Sequence, residues 1–454
     1  MHIYDSLSQT KVLLKKPKKG SLNFFVCGPT VYDYSHIGHA RTYVFFDTFV
    51  KYLRSTGIDV FYLQNITDID DKIISRAKES NIKPLALARK FEKEYLKDLK
   101  GLKINSVTKY ARATAYIPQI ISQITNLVDK GFAYVIDGDG YYFDVSAFSD
   151  YGKLSKRTNE QAEDAISRID QGIGKKNKAD FALWKFHKDG EPFWNTALGK
   201  GRPGWHIEDT AITENFFGPQ YDIHGGGIDL KFPHHEAEIA QQEASSGKKP
   251  LVKIWMHTGF LLVNGEKMSK SLGNFITIKD FLKNNSPEVL RMMILQNHYR
   301  SPFNYTEQLA EQTKQSLKTI FEFLATLEKA KNKKSFKINL KQYEKDFTAA
   351  LDDDFNTPKA LSVIFNLISE TQKNIWNLSK TDAKNVRDFI KDKLQIFEIN
   401  CPKIPTNIKN KAKKLDQLRD KKQYSKADKI RSEISALGFK VMNTPHGTAV
   451  AQDL

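Results

Sequence analysis

Runs of apolar residues change their period along this chain, and the changes divide it. Leu22-Asn23-Phe24-Phe25-Val26-Cys27 is a short apolar run cut off by Gly28-Pro29, which predicts a buried strand. From Gly38 to Leu53 the apolar spacing is helical, with Gly57 at a C-terminal position. Asp59 to Ile66 reads as a second strand and Ile69 onward as another helix. Strand, helix and strand joined by short connections begin a parallel sheet with crossover helices. Residues from about 120 to 200 change character: Tyr141 to Val145 reads as a strand after the turn Asp137-Gly138-Asp139-Gly140, and Lys153 to Lys178 is polar with little periodicity. This part reads as an insertion, after which sheet patterning resumes at Phe217 to His224 and Leu251 to Val263. Beyond about residue 310 the pattern is helical, with one apolar stripe through Leu317, Ile320, Phe321, Phe323, Leu324 and Leu327 and another through Leu361, Val363, Ile364, Leu367 and Ile368. Pro402 and Pro405 mark a linker, and the last segment starts as a basic helix and ends in a part punctuated by Gly438, Pro445 and Gly447.

Length and composition narrow the class. A chain of 454 residues is expected to form two to four domains. No apolar run is long enough to span a bilayer, and Met1 to Ser6 lacks the pattern of a secretory signal, so no membrane association and a cytoplasmic location are expected. The two cysteines, Cys27 and Cys401, are too few and too distant for a disulfide framework. The net charge of +17 suits a polyanionic partner, and it equally suits the solvated faces of a lysine-rich chain. Charge alone leaves both readings open.

Three segments carry candidate nucleotide chemistry. His36-Ile37-Gly38-His39 follows a strand and loop and opens a helix, which places backbone N–H groups and the positive helix end where phosphates would sit. As a bare tetrapeptide, the two histidines read more simply as caps or surface residues. Lys267-Met268-Ser269-Lys270-Ser271-Leu272-Gly273-Asn274 follows an apolar strand and the turn Asn264-Gly265, and its lysines and hydroxyls can wrap a triphosphate or form a solvated loop. In His224-Gly225-Gly226-Gly227-Ile228-Asp229-Leu230 the glycines permit close approach of a ligand and Asp229 could accept from ribose hydroxyls, although a plain tight turn has the same appearance. A fourth segment, Phe232 to Glu238, starts a helix with Pro233 in its first turn. It puts His234 and Glu238 on one helical face, as a metal site or as a solvated pair.

Together these segments resemble cysteinyl-tRNA synthetases, a family of class I aminoacyl-tRNA synthetases. The resemblance includes Phe25 to Asp33, Asn65 to Lys72, Gly204 to Glu208, His224 to Glu238, the Lys267 to Asn274 loop and Asp352 to Pro358, and it reaches the tail at Asp428 to Arg431 and Asn443 to Thr448. It implies an α/β fold: a Rossmann-like parallel-sheet catalytic domain (1–120 and 201–255) with a connective insertion (121–200). A stem-contact region with the signature loop (256–310), a helical bundle (311–400) and a basic anticodon-binding region (401–454) would follow. His36 and His39 would stabilise the transition state of amino-acid adenylation, with Lys267 and Lys270 on the β and γ phosphates, and Gly38, Gly226 and Asp229 would complete the ATP site. Cys27, Gly28, Thr30, Thr67 and Trp205 would form the cysteine pocket. The implied partners are ATP with Mg2+, L-cysteine and tRNA(Cys), and the implied state is a monomer.

The family reads cysteine with one zinc ion. Serine is nearly isosteric with cysteine, and shape alone separates such neighbours by only about 10–200-fold, whereas zinc favours thiolate over hydroxyl. The family pattern places a cysteine ligand directly after Trp-His-Ile-Glu; here Asp209 follows Trp205-His206-Ile207-Glu208. Aspartate also ligates zinc and keeps the formal charge, so Cys27, Asp209, His234 and Glu238 are the expected ligands, with His206, His224 and His235 as their hydrogen-bonding neighbours. In the tail, Lys421, Lys422, Lys426, Lys429 and Arg431 would neutralise phosphates, while the family's tryptophan after Gly-Thr is replaced by Ala449-Val450. Two other readings are a relative that passes cysteine to an amino-sugar acceptor, which the basic tail disfavours, and a non-catalytic RNA-binding paralogue, which the intact signatures disfavour.

Overall fold

Strand β1 (His2–Asp5) and strand β2 (Thr10–Leu13) make an antiparallel N-terminal hairpin. The apolar run at Leu22 becomes β3 (Leu22–Val26), in which Leu22, Phe24, Phe25 and Val26 are buried. Both faces are covered, as a strand inside a parallel sheet requires. Helix α1 (Ile37–Ser55), β4 (Val60–Ile66), α2 (Asp71–Glu79), α3 (Pro84–Gly101) and β5 (Lys109–Arg112) follow. These are described by a computed structural model covering residues 1–157, 174–269, 272–332 and 337–453. Most of the polar stretch between Lys153 and Lys178, together with Lys270 and Ser271 of the signature loop, lies outside them.

The insertion begins with α4 (Ile117–Asp129) and forms its own antiparallel sheet. Its strands are β6 (Ala133–Ile136), β7 (Gly140–Phe143), β8 (Phe181–Phe186), β9 (Trp194–Thr196) and β10 (Gly199–Pro203), in the order β6-β7-β8-β10-β9. The chain then returns through α5 (Ile207–Phe217), β11 (Tyr221–Gly227), α6 (His234–Ser246) and β12 (Val252–Thr258). The central sheet has the order β12-β11-β3-β4-β5 and is parallel throughout. Two boundaries differ from the pattern reading. Phe217 ends a helix instead of starting a strand, because Gly218 at φ 77° turns the chain before Tyr221. Pro233 caps α6 from outside, and the helix itself begins at His234.

Beyond the sheet, β13 (Leu261–Val263) pairs with β14 (Glu266–Lys267) through the Asn264-Gly265 turn and with β15 (Phe303–Tyr305). Helices α7 (Ile278–Asn284) and α8 (Pro287–Leu295) lie between them. The two apolar stripes form α9 (Glu307–Leu327) and α11 (Thr357–Lys373), which bundle with α10 (Leu340–Asp352) and α12 (Lys380–Ile396). The tail folds as α13 (Thr406–Asp420), α14 (Tyr424–Ala436) and a hairpin of β16 (Phe439–Thr444) and β17 (Gly447–Gln452). The glycines and proline there punctuate strands: Val441 and Val450 pair across the hairpin, and Gly447 turns it at φ 105°.

Helix α1 is the keel that holds the site against the bundle. Phe45 stacks on Tyr299 at 4.4 Å, and Phe49 meets Phe355 edge-on at 5.1 Å. Below them the fully buried Arg291 pairs with Asp47 at 3.0 Å and also donates to Thr48 Oγ1 and to the carbonyls of Leu102 and Phe397. Among the described residues no helix is long and apolar enough to cross a membrane.

Candidate active site

Strands β3 and β11 are parallel neighbours whose connections leave in opposite directions along the sheet, so a crevice opens beyond their carboxyl ends. It holds a cleft of about 350 Å³. Cys27, Gly28, Thr30, His36, Gly38, His39, Thr67, Trp205, Asp209, Asp229, His234 and Lys267 all line it. Glu238 sits behind Cys27, its Oε1 3.9 Å from Sγ. Gly226 is not among the lining residues. A Cβ there would lie 2.7 Å from the His235 ring, and one on Gly225 would lie 2.5 Å from Phe46, so both glycines are required by the protein's own packing. The Gly28 N–H donates to Asn65 Oδ1 at 2.5 Å, and a Cβ at Gly28 would overlap the Asn65 carbonyl.

His36 is the N-cap of α1. Its Nδ1 accepts from the N–H groups of Gly38 at 3.1 Å and His39 at 3.4 Å, while His39 Nδ1 accepts from the His36 N–H at 3.3 Å. The rings stack at 3.8 Å. This reciprocal capping has a chemical consequence: each neutral imidazole that accepts at Nδ1 carries its proton on Nε2. Burial, then the neighbouring His36, hold His39 well below its ordinary value, so it stays neutral near pH 7. The histidines are thus caps, and they are caps of a fixed tautomer.

The second signature is tied to the first. His36 and Thr277 form an antiparallel bridge, the Ile37 N–H donates to the Ile276 carbonyl at 3.0 Å, and the Ile278 N–H donates to the Ser35 carbonyl at 2.9 Å. Asn274 closes the loop by accepting from the Ser269 N–H at 2.8 Å and donating to the Lys267 carbonyl at 3.4 Å. Lys267 Nζ lies 5.6 Å from the centre of the exposed Phe260 ring.

The four expected ligands converge. Cys27, Asp209, His234 and Glu238 are buried and offer ligand atoms within 4.8 Å of one another. His234 Nε2 is 3.0 Å from both Asp209 Oδ2 and Glu238 Oε1. His234 is held from behind by His206 at 2.7 Å and from the side by the Trp205 ring, stacked at 4.4 Å. Among the described residues, Asp209 Oδ1 is buried without a hydrogen-bond partner. Burial and the neighbouring acids push the Cys27 thiol and the Glu238 carboxyl well above their ordinary values. One thiol, two carboxylates and one imidazole packed this closely are a donor set that a divalent cation fits.

The structure also brings in residues that the motif reading kept at the margin. His224 Nε2 and His235 Nε2 each lie 3.2 Å from Cys27 Sγ, and Cys27, His224, His235 and Glu238 form a second converging group. Tyr221 holds His224 at 2.7 Å, and His257 holds His235 at 2.8 Å. Glu208 is buried and accepts a hydrogen bond from Thr67 Oγ1. Its only signal in the sequence was its place within the Gly204 to Glu208 motif.

Comparison with known proteins matches residues 13–315 to the tRNA synthetases class I (C) catalytic domain and residues 346–397 to the DALR domain. The cysteine–tRNA ligase of Thermococcus gammatolerans is 43% identical, over 99% of this chain and 98% of its own. That of Thermoplasma volcanium is 47% identical over 85% of each. Among solved structures, Mycobacterium tuberculosis methionyl-tRNA synthetase bound by methionyl-adenylate shares the fold at a TM-score of 0.60 and 15% identity, covering 84% of this chain and 90% of its own. The LeuRS–tRNA–LeuAMS ternary complex of Agrobacterium radiobacter does so at 0.63 and 10%, covering 84% of each chain. With one catalytic-domain match over most of its length and relatives aligned along nearly all of it, the chain belongs to the cysteine–tRNA ligase family of ATP-dependent class I aminoacyl-tRNA synthetases.

Proposed function

We propose that this chain activates L-cysteine with ATP, releasing pyrophosphate from cysteinyl-adenylate, and transfers the cysteinyl group to the 3′ end of tRNA(Cys). The observation that carries this reading is the position of Cys27. It joins Asp209, His234 and Glu238 at one end of the same cleft that His36, His39 and Lys267 line. In the first step a substrate carboxylate oxygen attacks the α-phosphorus and the bond to pyrophosphate breaks. Negative charge spreads over the phosphoryl oxygens, and the chain's task is to position the reactants and stabilise that charge. His36 and His39 present Nε2–H donors fixed by their caps, and Lys267, with Lys270 by resemblance, neutralises the departing phosphates. Asp229 serves the ribose. Mg2+ enters with ATP.

Zinc held by Cys27, Asp209, His234 and Glu238 would supply a site that prefers sulfur to oxygen and lowers a thiol's pKa. The residues around it keep that site rigid: Trp205 and His206 fix the His234 ring, while Tyr221 and His257 fix the two imidazoles on Cys27. The bundle (311–400) and tail (401–454) would receive tRNA, with Lys421, Lys422, Lys426 and Lys429 exposed on the tail.

The test is ATP–pyrophosphate exchange with cysteine, serine and methionine, before and after chelation. Cysteine-dependent exchange lost with the metal and restored by zinc supports the whole reading. Exchange with no amino acid would overturn the activation step. With Mg2+ kept in excess throughout, exchange unaffected by complete removal of bound zinc would overturn the zinc site alone. Charging of total tRNA, against charging of an amino sugar, tests the acceptor.

A further inference from the structure

Three arginines are buried among the described residues: Arg41, Arg202 and Arg291. An arginine keeps its charge near pH 7, and a buried charge without a counter-charge is costly. Two of the three are paired. Arg291 meets Asp47 at 3.0 Å, and Arg202 is held by Glu191 at 2.8 Å and by Asp71. Arg41 is different. It is 2% exposed and makes no ion pair among the described residues. Its Nη2 donates to the Tyr299 carbonyl at 3.1 Å and to the Ser301 carbonyl, and the Phe303 ring lies 5.4 Å from its Cζ. Among the described residues, its Nε and Nη1 are buried without a hydrogen-bond partner. Burial lowers this guanidinium to about 10, which leaves it charged at neutral pH.

Arg41 forms part of the wall of a cavity of about 10 Å³, room for one particle near the size of a water. Four elements meet there. Arg41 comes from α1, Thr258 ends β12, Asn297 lies just past α8, and Thr357 opens α11. The rest of the wall is aliphatic or aromatic, and no carboxylate belongs to it. Asp354, which accepts from the Tyr299 hydroxyl at 2.7 Å, is already paired with Arg300 at 2.7 Å. Asn297 Nδ2 donates to the Met293 carbonyl at 2.9 Å, which leaves its second N–H for another acceptor. Thr357 brings the positive end of the 17-residue α11 to the wall. Guanidinium, amide and helix end all favour an anion. A water could accept from Nε and Nη1, but it would leave the charge unbalanced. The small volume excludes phosphate and carboxylates.

We infer that this cavity binds a single halide ion, chloride or bromide, between Arg41 and the start of α11. The ion neutralises the guanidinium and joins α1 of the catalytic domain to the first turn of a bundle helix. Thr258 lines both this cavity and the candidate active-site cleft, so the ion's seat adjoins that cleft.

Two measurements on the full chain test this. Chloride replacing gluconate at constant ionic strength should raise the unfolding midpoint saturably, by about 1–3 °C, as binding to the folded state alone requires. Crystals soaked in bromide should show an anomalous peak within hydrogen-bonding reach of Arg41 Nε and Nη1. A variant then supplies the anion from the chain itself. Thr357→Asp puts a carboxylate at the first position of α11, where an acid is favourable. Its midpoint in gluconate should match the parent's in chloride, and chloride should no longer move it. A midpoint that chloride does not raise in the parent, or raises equally in Thr357→Asp, would overturn the inference. Water instead of bromide beside Arg41 would do the same. A bromide peak without the effect in solution would mark an adventitious ion only, and that too would overturn it. If Thr357→Asp does not fold, the parent's chloride titration and bromide map decide the question together.

Discussion

His36 and Thr277 face each other across an isolated antiparallel bridge, which joins the cap of α1 to the segment that closes the signature loop. Flanking backbone hydrogen bonds from Ile37 to Ile276 and from Ile278 to Ser35 hold the same junction. Motifs more than two hundred residues apart in sequence are therefore one structural unit. The segment that follows the loop is thus bonded to the residue that caps the helix, and the imidazole pair lies at that point.

The double duty of His36 can be separated. Asparagine at an N-cap accepts from the same backbone donors but has no Nε2–H. His36→Asn should keep thermal stability near that of the parent, while His36→Ala should lose about 1 kcal/mol. Both should lower the exchange rate by roughly 100-fold or more if the imidazole donates to the phosphoryl group. Thermal unfolding and exchange kinetics on the two variants check this.

Gly226 answers to packing. His235 is buried and held between Cys27 and His257, so it has no room to retreat from a Cβ placed 2.7 Å away. Gly226→Ala should cost about 1–3 kcal/mol and should reduce bound zinc, because the strain falls on the imidazole beside Cys27. Denaturant unfolding and metal analysis measure the two effects.

With Asp209 as a ligand, the proposed metal site has one sulfur, from Cys27. In the cobalt-substituted protein, Asp209→Cys should raise the sulfur-to-metal charge-transfer absorption by one thiolate's worth and slow metal loss to a chelator. Asp209→Ala should bind metal at least about tenfold more weakly. An absorption spectrum of Asp209→Cys identical to the parent's would show that this position is not a ligand.

Part of the acid sensitivity should trace to Asp47. Burial alone would raise its carboxyl, but Arg291 and Lys51 outweigh that and hold it below its ordinary 3.8. A depressed folded value means that the stabilisation is complete above 3.8 and is lost as pH falls through the lower folded value. Stability should therefore fall off in that acid range, and Asp47→Asn should flatten this part of the profile. Because the variant strands a buried Arg291, it should also lose about 3–5 kcal/mol at neutral pH. Urea unfolding as a function of pH tests both.

In the tail, Lys421 and Lys422 are exposed, whereas Arg431 donates to the Val441 carbonyl at 3.4 Å. Each lysine changed to glutamine should lower the slope of log affinity for tRNA against log salt by roughly 0.7–0.9 for every phosphate it had neutralised. Arg431→Gln should change unfolding more than it changes that slope. Filter binding over a salt series distinguishes them.

How far the sequence could be read depended on the range of the forces involved. The strands at Leu22 and at Asp59 to Ile66, and the helix from Gly38, were legible because period and punctuation are local. That His36 and His39 stand at a helix start was legible for the same reason; that His36 is the N-cap came from the structure. Phe217 was misplaced because an apolar residue at a helix end looks the same as one at a strand start. The strands of the tail hairpin were obscured because glycine and proline mark a loop and a turn alike.

By itself the sequence determined the α/β order, the two signatures, the family resemblance and the substitution of Asp209. Each of these is carried by residues close together in the chain or by a motif read as a unit. Only the tertiary structure decided that Cys27 meets two imidazoles at 3.2 Å, that Gly226 makes way for His235 and that Glu208 stands behind Thr67. Those relations arise where the strand ends of one parallel sheet meet the helices packed beside them. The energy that sets them, close packing together with hydrogen bonding away from water, depends on distances between residues that no local pattern encodes.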